Sequence, residues 1–180
     1  MNTEIKAFLK EMLTIIITAF ILAMILRTFV VEGRIIPSGS MLPTLQIQDR
    51  VMVNKFIYYF KEPQRGDVVV FEPPEAIGSE QDYIKRVIGL PGETVEMKEG
   101  QVFVNDKPLT EPYIPEILNY EYGPVVVPEG SLLVLGDNRN HSFDSHLWNA
   151  WLTEDHLKGK AFMVYWPIKH INLLERGVSF

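Results

Sequence analysis

From Met12 to Leu26 the chain reads MLTIIITAFILAMIL and carries no charged residue. Nothing else in the sequence restricts the fold as strongly. Fifteen helical residues rise roughly 22 Å, short of a hydrocarbon core of about 30 Å. Including Arg27 and Thr28 to Val31 gives a 20-residue stretch, with Arg27 placed to reach the headgroups. A core helix that is apolar on every face is unusual in a small domain. A cleaved leader is disfavoured too: no A-x-A follows, and Val31-Glu32-Gly33 matches the small-residue rule only weakly. The segment is therefore read as an uncleaved single-span anchor. Flanking charge leaves its orientation open. Lys6, Lys10 and the terminal amine lie on one side, Arg27 and Arg34 on the other.

The rest of the 180 residues is charged throughout, and a mean hydropathy of +0.05 excludes a multi-span protein. The late apolar run AFMVYWPI is too short for a second span and contains Pro167. The absence of cysteine excludes a disulfide scaffold, a cysteine nucleophile, a zinc finger and an iron–sulfur cluster. A net charge of -6 argues against nucleic acid as a main partner.

Beyond residue 32 the pattern changes to short runs rich in Val, Ile and aromatics, punctuated by Pro and Gly. They are RIIP (34–37), RVMVNK (50–55), DVVVF (67–71), DYIKRVI (82–88), ETVEM (93–97), QVFV (101–104), PVVV (124–127), SLLVL (131–135) and AFMVYW (161–166). Such runs read as strands. The expected architecture is mostly β: an antiparallel sheet or barrel-like domain over 32–180, preceded by a tail and one transmembrane helix over 1–31. Within it, 98–123 reads as a small hairpin and surface insertion. The hairpin should turn at Asn105-Asp106, a pair that tolerates positive φ. Residues 110–123 read as a surface excursion, and Thr153–Leu157 as a short helical turn with Thr153 as N-cap.

The common phosphate-loop, dinucleotide, zinc-protease and nucleophile-elbow motifs are absent. Arg65-Gly66-Asp67 is explained by a charged turn before a strand. His141, Asp144 and His146 lie close together, but no third convincing ligand is near, and a polar loop accounts for them equally well.

Three segments carry more chemistry. Pro37-Ser38-Gly39-Ser40-Met41-Leu42-Pro43-Thr44-Leu45 sets two serines around a glycine between prolines, a rigid turn whose amides can face a ligand. The same composition also suits a plain connector. In Tyr83-Ile84-Lys85-Arg86-Val87-Ile88, strand alternation puts Tyr83, Lys85 and Val87 on one face and Arg86 with Ile84 and Ile88 on the other. Lys85 is then either solvated at an edge or desolvated, and desolvation favours the neutral amine. A neutral amine can take a proton from a serine hydroxyl. The third segment, Gly136 to His146 (GDNRNHSFDSH), follows an apolar strand and is dense in hydrogen-bonding groups.

Together these segments resemble bacterial type I signal peptidases, also called leader peptidases. An apolar span is followed in order by PSGSMLPTL, RGDVVVF, YIKRVIGLPG and GDNRNHSFDSH, so the likeness covers essentially the whole chain. The resemblance implies that Ser40 is the nucleophile and Lys85 its general base. It further implies an oxyanion hole from Ser38 and the Ser40 N–H. Ser142 would orient the lysine amine, and Asp144 would organise the site from behind. Asp137 and Asn138 match structural positions. Ile36, Pro37, Asp82, Tyr83 and Ile84 would flank the substrate, with Ile36 and Ile84 walling small pockets. The implied activity is a membrane-anchored serine endopeptidase that removes signal peptides after small residues, without metal or cofactor. The implied partners are preprotein signal peptides and the lipid bilayer, near the secretion translocon. The implied location is the bacterial cytoplasmic membrane, single-pass, with the catalytic domain on the extracytoplasmic side.

Two residues depart from the family pattern. His146 stands where an arginine usually pairs with the aspartate, and Asn149 stands where a glycine is usual. Three alternatives follow: an inactive binding protein of the same fold, a serine–lysine autoprotease regulator, and a triad in which His141 or His146 serves Ser40. The regulator is disfavoured because the membrane segment occupies the place of a DNA-binding domain.

Overall fold

The computed structural model describes residues 3–180, with side chains described for 4–24 and 30–180. The side chain of Arg27, to which the sequence assigns a headgroup contact, lies outside these. Helix α1 (Thr3–Phe29) is 27 residues long, about 40 Å at the α-helical rise. Its stretch Glu4–Met24 is uncovered by the rest of the chain, as expected of a helix that meets lipid rather than a core. The apolar run continues to Val31 in sequence, but the helix ends at Phe29. Val31 already pairs with Asn54 in a sheet.

The strands are β1 (Val31–Ile35), β2 (Arg50–Asn54), β3 (Val68–Phe71), β4 (Tyr83–Gly89), β5 (Thr94–Lys98), β6 (Gln101–Val104), β7 (Lys107–Pro108), β8 (Tyr122–Val126), β9 (Ser131–Leu135), β10 (Leu152–Thr153), β11 (Leu157–Trp166) and β12 (Asn172–Leu173). The large sheet runs β1-β2-β11-β3-β4-β9-β10, with β12 also on β11; a smaller sheet runs β7-β6-β5-β8. Neighbouring strands in both are antiparallel, so the mostly-β antiparallel expectation holds.

The continuous VVVF of β3 is buried on both faces, as an unbroken apolar run should be. Val68 and Val70 join a core with Ile36, Met41 and Leu45; Val69 and Phe71 join another with Val87, Val134 and Trp148. The small sheet closes over Ile88, Leu133 and Leu135. Asn105 and Asp106 both take left-handed conformations (φ 51° and 63°) between β6 and β7, which is the two-residue hairpin expected.

The helical turn expected over Thr153–Leu157 is present as a single 3-10 turn (Glu154–His156) with Thr153 at its N-cap position, although Thr153 makes no side-chain cap bond. Two local readings need correction. Residues 110–121 are irregular yet not merely superficial, since Glu111 and Leu118 are buried. A one-turn helix, α2 (Ser145–Trp148), starts within the last two residues of the Gly136–His146 segment read as a polar loop and runs beyond it.

Candidate active site

Main-chain bonds between Ile36 and both Gln48 and Asp49 close the loop that holds the two serines. Met41 and Leu45 are fully buried and anchor it in the core. Asn138 pins its tip. The Asn138 N–H donates to the Ser40 carbonyl at 3.1 Å, and its Nδ2 donates to the Gly39 carbonyl at 3.1 Å.

Strand β4 delivers Lys85 to the same place. On its outer side β4 pairs with β3 from Tyr83 onward, while β9 joins the other side only from Arg86. Lys85 is 5% exposed. Its Nζ lies 2.7 Å from Ser40 Oγ and 5.6 Å from the centre of the Tyr83 ring. Burial pulls the amine down to about 8, against the upward pull of the Asp144 and Asp137 carboxylates.

The adjacent residue has the opposite fate. Arg86 is 1% exposed and grips Asp137 with Nε and NH2 at 2.8 and 2.7 Å. Thr44, at the end of the serine loop, donates to the same carboxylate at 2.5 Å. Arg86 also donates to the carbonyls of Gly66, Glu175 and Arg176, tying the C-terminal strap to the site.

Asp144 is fully buried. It accepts the Gly136 N–H at 2.9 Å, and its other oxygen lies 2.6 Å from His146 Nδ1. The histidine thus takes the pairing role of the missing arginine, and Tyr120 stacks on its ring at 4.2 Å. Asn149, the second departure, sits at φ 53° as the C-cap of α2, a conformation that asparagine adopts more readily than other residues with a side chain. Ser142 differs from its implied role. Its Oγ is buried without a hydrogen-bond partner among the described residues, so it does not hold the Lys85 amine here. It lies against Gly136, where an added Cβ would come within 2.2 Å of it.

A cleft of about 570 Å³ opens over Ser38, Ser40 and Lys85. A neighbouring hollow of about 350 Å³ shares its Pro37 and Asp82–Ile84 wall and adds Ile36. The five residues expected to flank a substrate therefore line one continuous surface. Asp82 is held by Arg34 at 2.9 Å and Lys158 at 2.6 Å.

Neither histidine of the triad alternative bonds to Ser40: His141 meets Asn138, and His146 meets Asp144. Among the described residues no group of three or more His, Asp or Glu could hold a metal. Sequence reasoning missed Tyr120 and the buried pair Arg139–Glu111. No local signal marks either one, since each partner lies more than 20 residues away.

Ser40 Oγ and the desolvated Lys85 amine thus meet beside a stretch of β4 that pairs with β3 alone. A family model described as signal peptidase, peptidase S26, matches residues 9–166. The chain belongs to that family, whose enzymes are hydrolases that process signal peptides. It is 50% identical over 161 residues to a probable signal peptidase I-2 of Synechocystis sp., covering 88% of this chain and 73% of that one. Against signal peptidase I of Leptolyngbya laminosa it is 47% identical, covering 89% and 81%. Against signal peptidase I S of Bacillus subtilis it is 35% identical, covering 94% and 96%. A solved signal peptidase I from Enterococcus faecalis aligns with 56% of this chain and 97% of its own at 32% identity and a TM-score of 0.48.

Proposed function

We propose that this signal peptidase is a membrane-anchored serine endopeptidase that uses a Ser40/Lys85 dyad and cuts after small residues. The observation that carries this is the 2.7 Å approach of a buried lysine amine to Ser40 Oγ. Neutral Lys85 takes the Ser40 proton while Oγ attacks the scissile carbonyl. The Ser38 hydroxyl and the Ser40 N–H donate to the oxyanion of the tetrahedral intermediate. The Lys85 ammonium then gives its proton to the leaving amine, releasing the mature protein and leaving an acyl ester on Ser40. Lys85, neutral again, takes a proton from the water that attacks the ester and passes it to Ser40 Oγ as the acyl bond breaks, releasing the signal peptide as its carboxylic acid.

The substrate adds as a strand along the open edge of β4 at Tyr83–Lys85, using main-chain bonds for affinity. Side chains at alternate positions enter the hollow between Ile36 and Ile84, where bulk beyond alanine is excluded sterically. Helix α1 crosses the cytoplasmic membrane once. The catalytic domain lies on the extracytoplasmic side, close to the translocon that delivers preproteins. None of these steps draws on a metal or cofactor. The test is preprotein cleavage in detergent by Ser40→Ala and Lys85→Ala. Wild-type turnover by either variant overturns the dyad.

A further inference from the structure

Behind the proposed base, one hydrogen bond depends on a residue from outside the site. The two oxygens of Asp144 are engaged, one by the Gly136 N–H at 2.9 Å and the other by His146 Nδ1 at 2.6 Å. A carboxylate only accepts, so Nδ1 carries the proton of this pair and Nε2 is the nitrogen left over. A guanidinium would meet the carboxylate with two donors in a fixed plane. The imidazole meets it with one, and a single bond leaves the ring free to turn. Something else has to set its plane.

Tyr120 does so from the irregular segment 110–121. Its ring lies 10° from parallel with the imidazole, at 4.2 Å between centroids, and Tyr122 of β8 meets the same imidazole edge-on at 6.3 Å. The Tyr120 hydroxyl is buried with no hydrogen-bond partner among the described residues, so the face of the ring makes the contact. Burial, and after it the Asp144 carboxylate, pushes that hydroxyl upward, which keeps the ring neutral. The same two causes act on Tyr122 in the same direction. The further charges that reach Tyr120 are Arg139 and Glu111, which are paired with each other. Segment 110–121 also grips the site loop at Asn140, which accepts the Asn119 N–H and donates to the Ile117 carbonyl. The Tyr120 contact is the one that bears on Asp144.

Asp144 in turn bears on the base. Burial pulls the Lys85 amine down, and Asp144 is the stronger of the two carboxylates that oppose this. A donor held on Asp144 weakens its reach, and a donor that turns away restores it. We propose that Tyr120 is a positioning residue of the active site: its ring holds the His146 imidazole in the plane that keeps Nδ1 on Asp144, and so limits the field that this carboxylate exerts on the Lys85 amine. This rests on the reading of Lys85 as the base.

The test compares Tyr120→Leu, which fills the space without a flat face, with Tyr120→Phe, which keeps the face. Both kcat and KM are measured on a peptide spanning a cleavage site, in detergent, across the acid limb. Tyr120→Leu should move the limb of kcat/KM up by about half a pH unit, a roughly threefold loss at pH 7 that nearly disappears at pH 9, with KM unaltered. Tyr120→Phe should match the unaltered protein. Adding His146→Arg to Tyr120→Leu should bring the limb back, because a guanidinium grips Asp144 at two points without a stack. A limb that stays in place in Tyr120→Leu, an equal loss at every pH, or a loss confined to KM overturns the positioning role. An unaltered protein without an acid limb removes the lysine base, and this inference with it. If Tyr120→Leu does not fold, the unaltered protein still decides. Face-on stacking moves ring protons upfield, so the His146 Hε1 NMR signal, assigned by its loss in His146→Gln, should lie upfield of those of His141, His156 and His170. A His146 signal among the other three overturns the contact.

Discussion

Lowering the pH from 8 to 6 should disable this enzyme through one group. Lys85 is pulled down to about 8 by burial. Half of the molecules then hold a neutral amine at pH 8, and only about 1% do at pH 6, a loss of roughly 50-fold in competent enzyme. The direction follows from the proton balance: the general base must be neutral, and acid fills it. An unshifted lysine would be neutral in roughly one molecule in 2,500 at pH 7, whereas Lys85 is neutral in about one in ten. Desolvation thus raises the neutral fraction of the amine by more than two orders of magnitude. The assay is kcat/KM on a peptide spanning a cleavage site, in detergent, between pH 5.5 and 9, because that ratio reports the free enzyme. A tenfold fall per unit below about 8 is expected, and a His141→Ala, His146→Ala protein should retain that acid limb. A profile flat down to pH 6, or a limb that vanishes with the histidines, refutes the lysine base.

The same desolvation predicts that Lys85→Met is inactive but more stable. A fall from 10.5 to about 8 corresponds to about 3 kcal/mol; the cost is full below pH 8, where the folded amine is charged, and fades as pH rises from 8 to 10.5. Urea unfolding in detergent at pH 7 and pH 10.5 should show the variant's advantage at the first and not at the second. Glu111→Gln strands the Arg139 guanidinium, which is 2% exposed, and should cost about 3–5 kcal/mol in the same unfolding assay. Asn149→Gly should leave the melting temperature unchanged, whereas Asn149→Val forces a branched side chain to φ 53° and should cost about 1–3 kcal/mol.

Much of the site was legible because it is written in local pattern. Alternation along β4 put Lys85 beside Tyr83 and away from Arg86, and the structure keeps that division. The Asn105-Asp106 turn followed from the same kind of rule, since only a few residue pairs suit two left-handed positions. The hidden features are long-range. Glu111 reads as one more surface carboxylate until Arg139 arrives from 28 residues away. The stacking of Tyr120 on His146 depends on how the irregular segment 110–121 folds back. Ser142 shows a different limit: a matched position placed it near the site but did not fix what its hydroxyl touches.

Lys85 and Arg86 show why this strand suits the proposed base. Both cations are stripped of water, and both lie near Asp137. A guanidinium cannot shed its proton inside a protein, so its burial requires a carboxylate, and Arg86 takes Asp137 in a two-point grip. That grip occupies the nearest compensating charge. Lys85 feels Asp137 and Asp144 only as distant pulls and touches a neutral hydroxyl instead. Of the two, it alone can relieve the cost of burial by losing its proton. If Arg86 were replaced by Met, the Asp137 carboxylate would be left uncompensated near Lys85. The amine should then be held more firmly as ammonium. Its acid limb should move to higher pH, with activity at pH 7 falling further than at pH 9. An Arg86→Met, Asp137→Asn protein removes both charges and should return the limb toward its original place. A limb that stays put in the single variant would mean that Asp137 exerts no pull on the base.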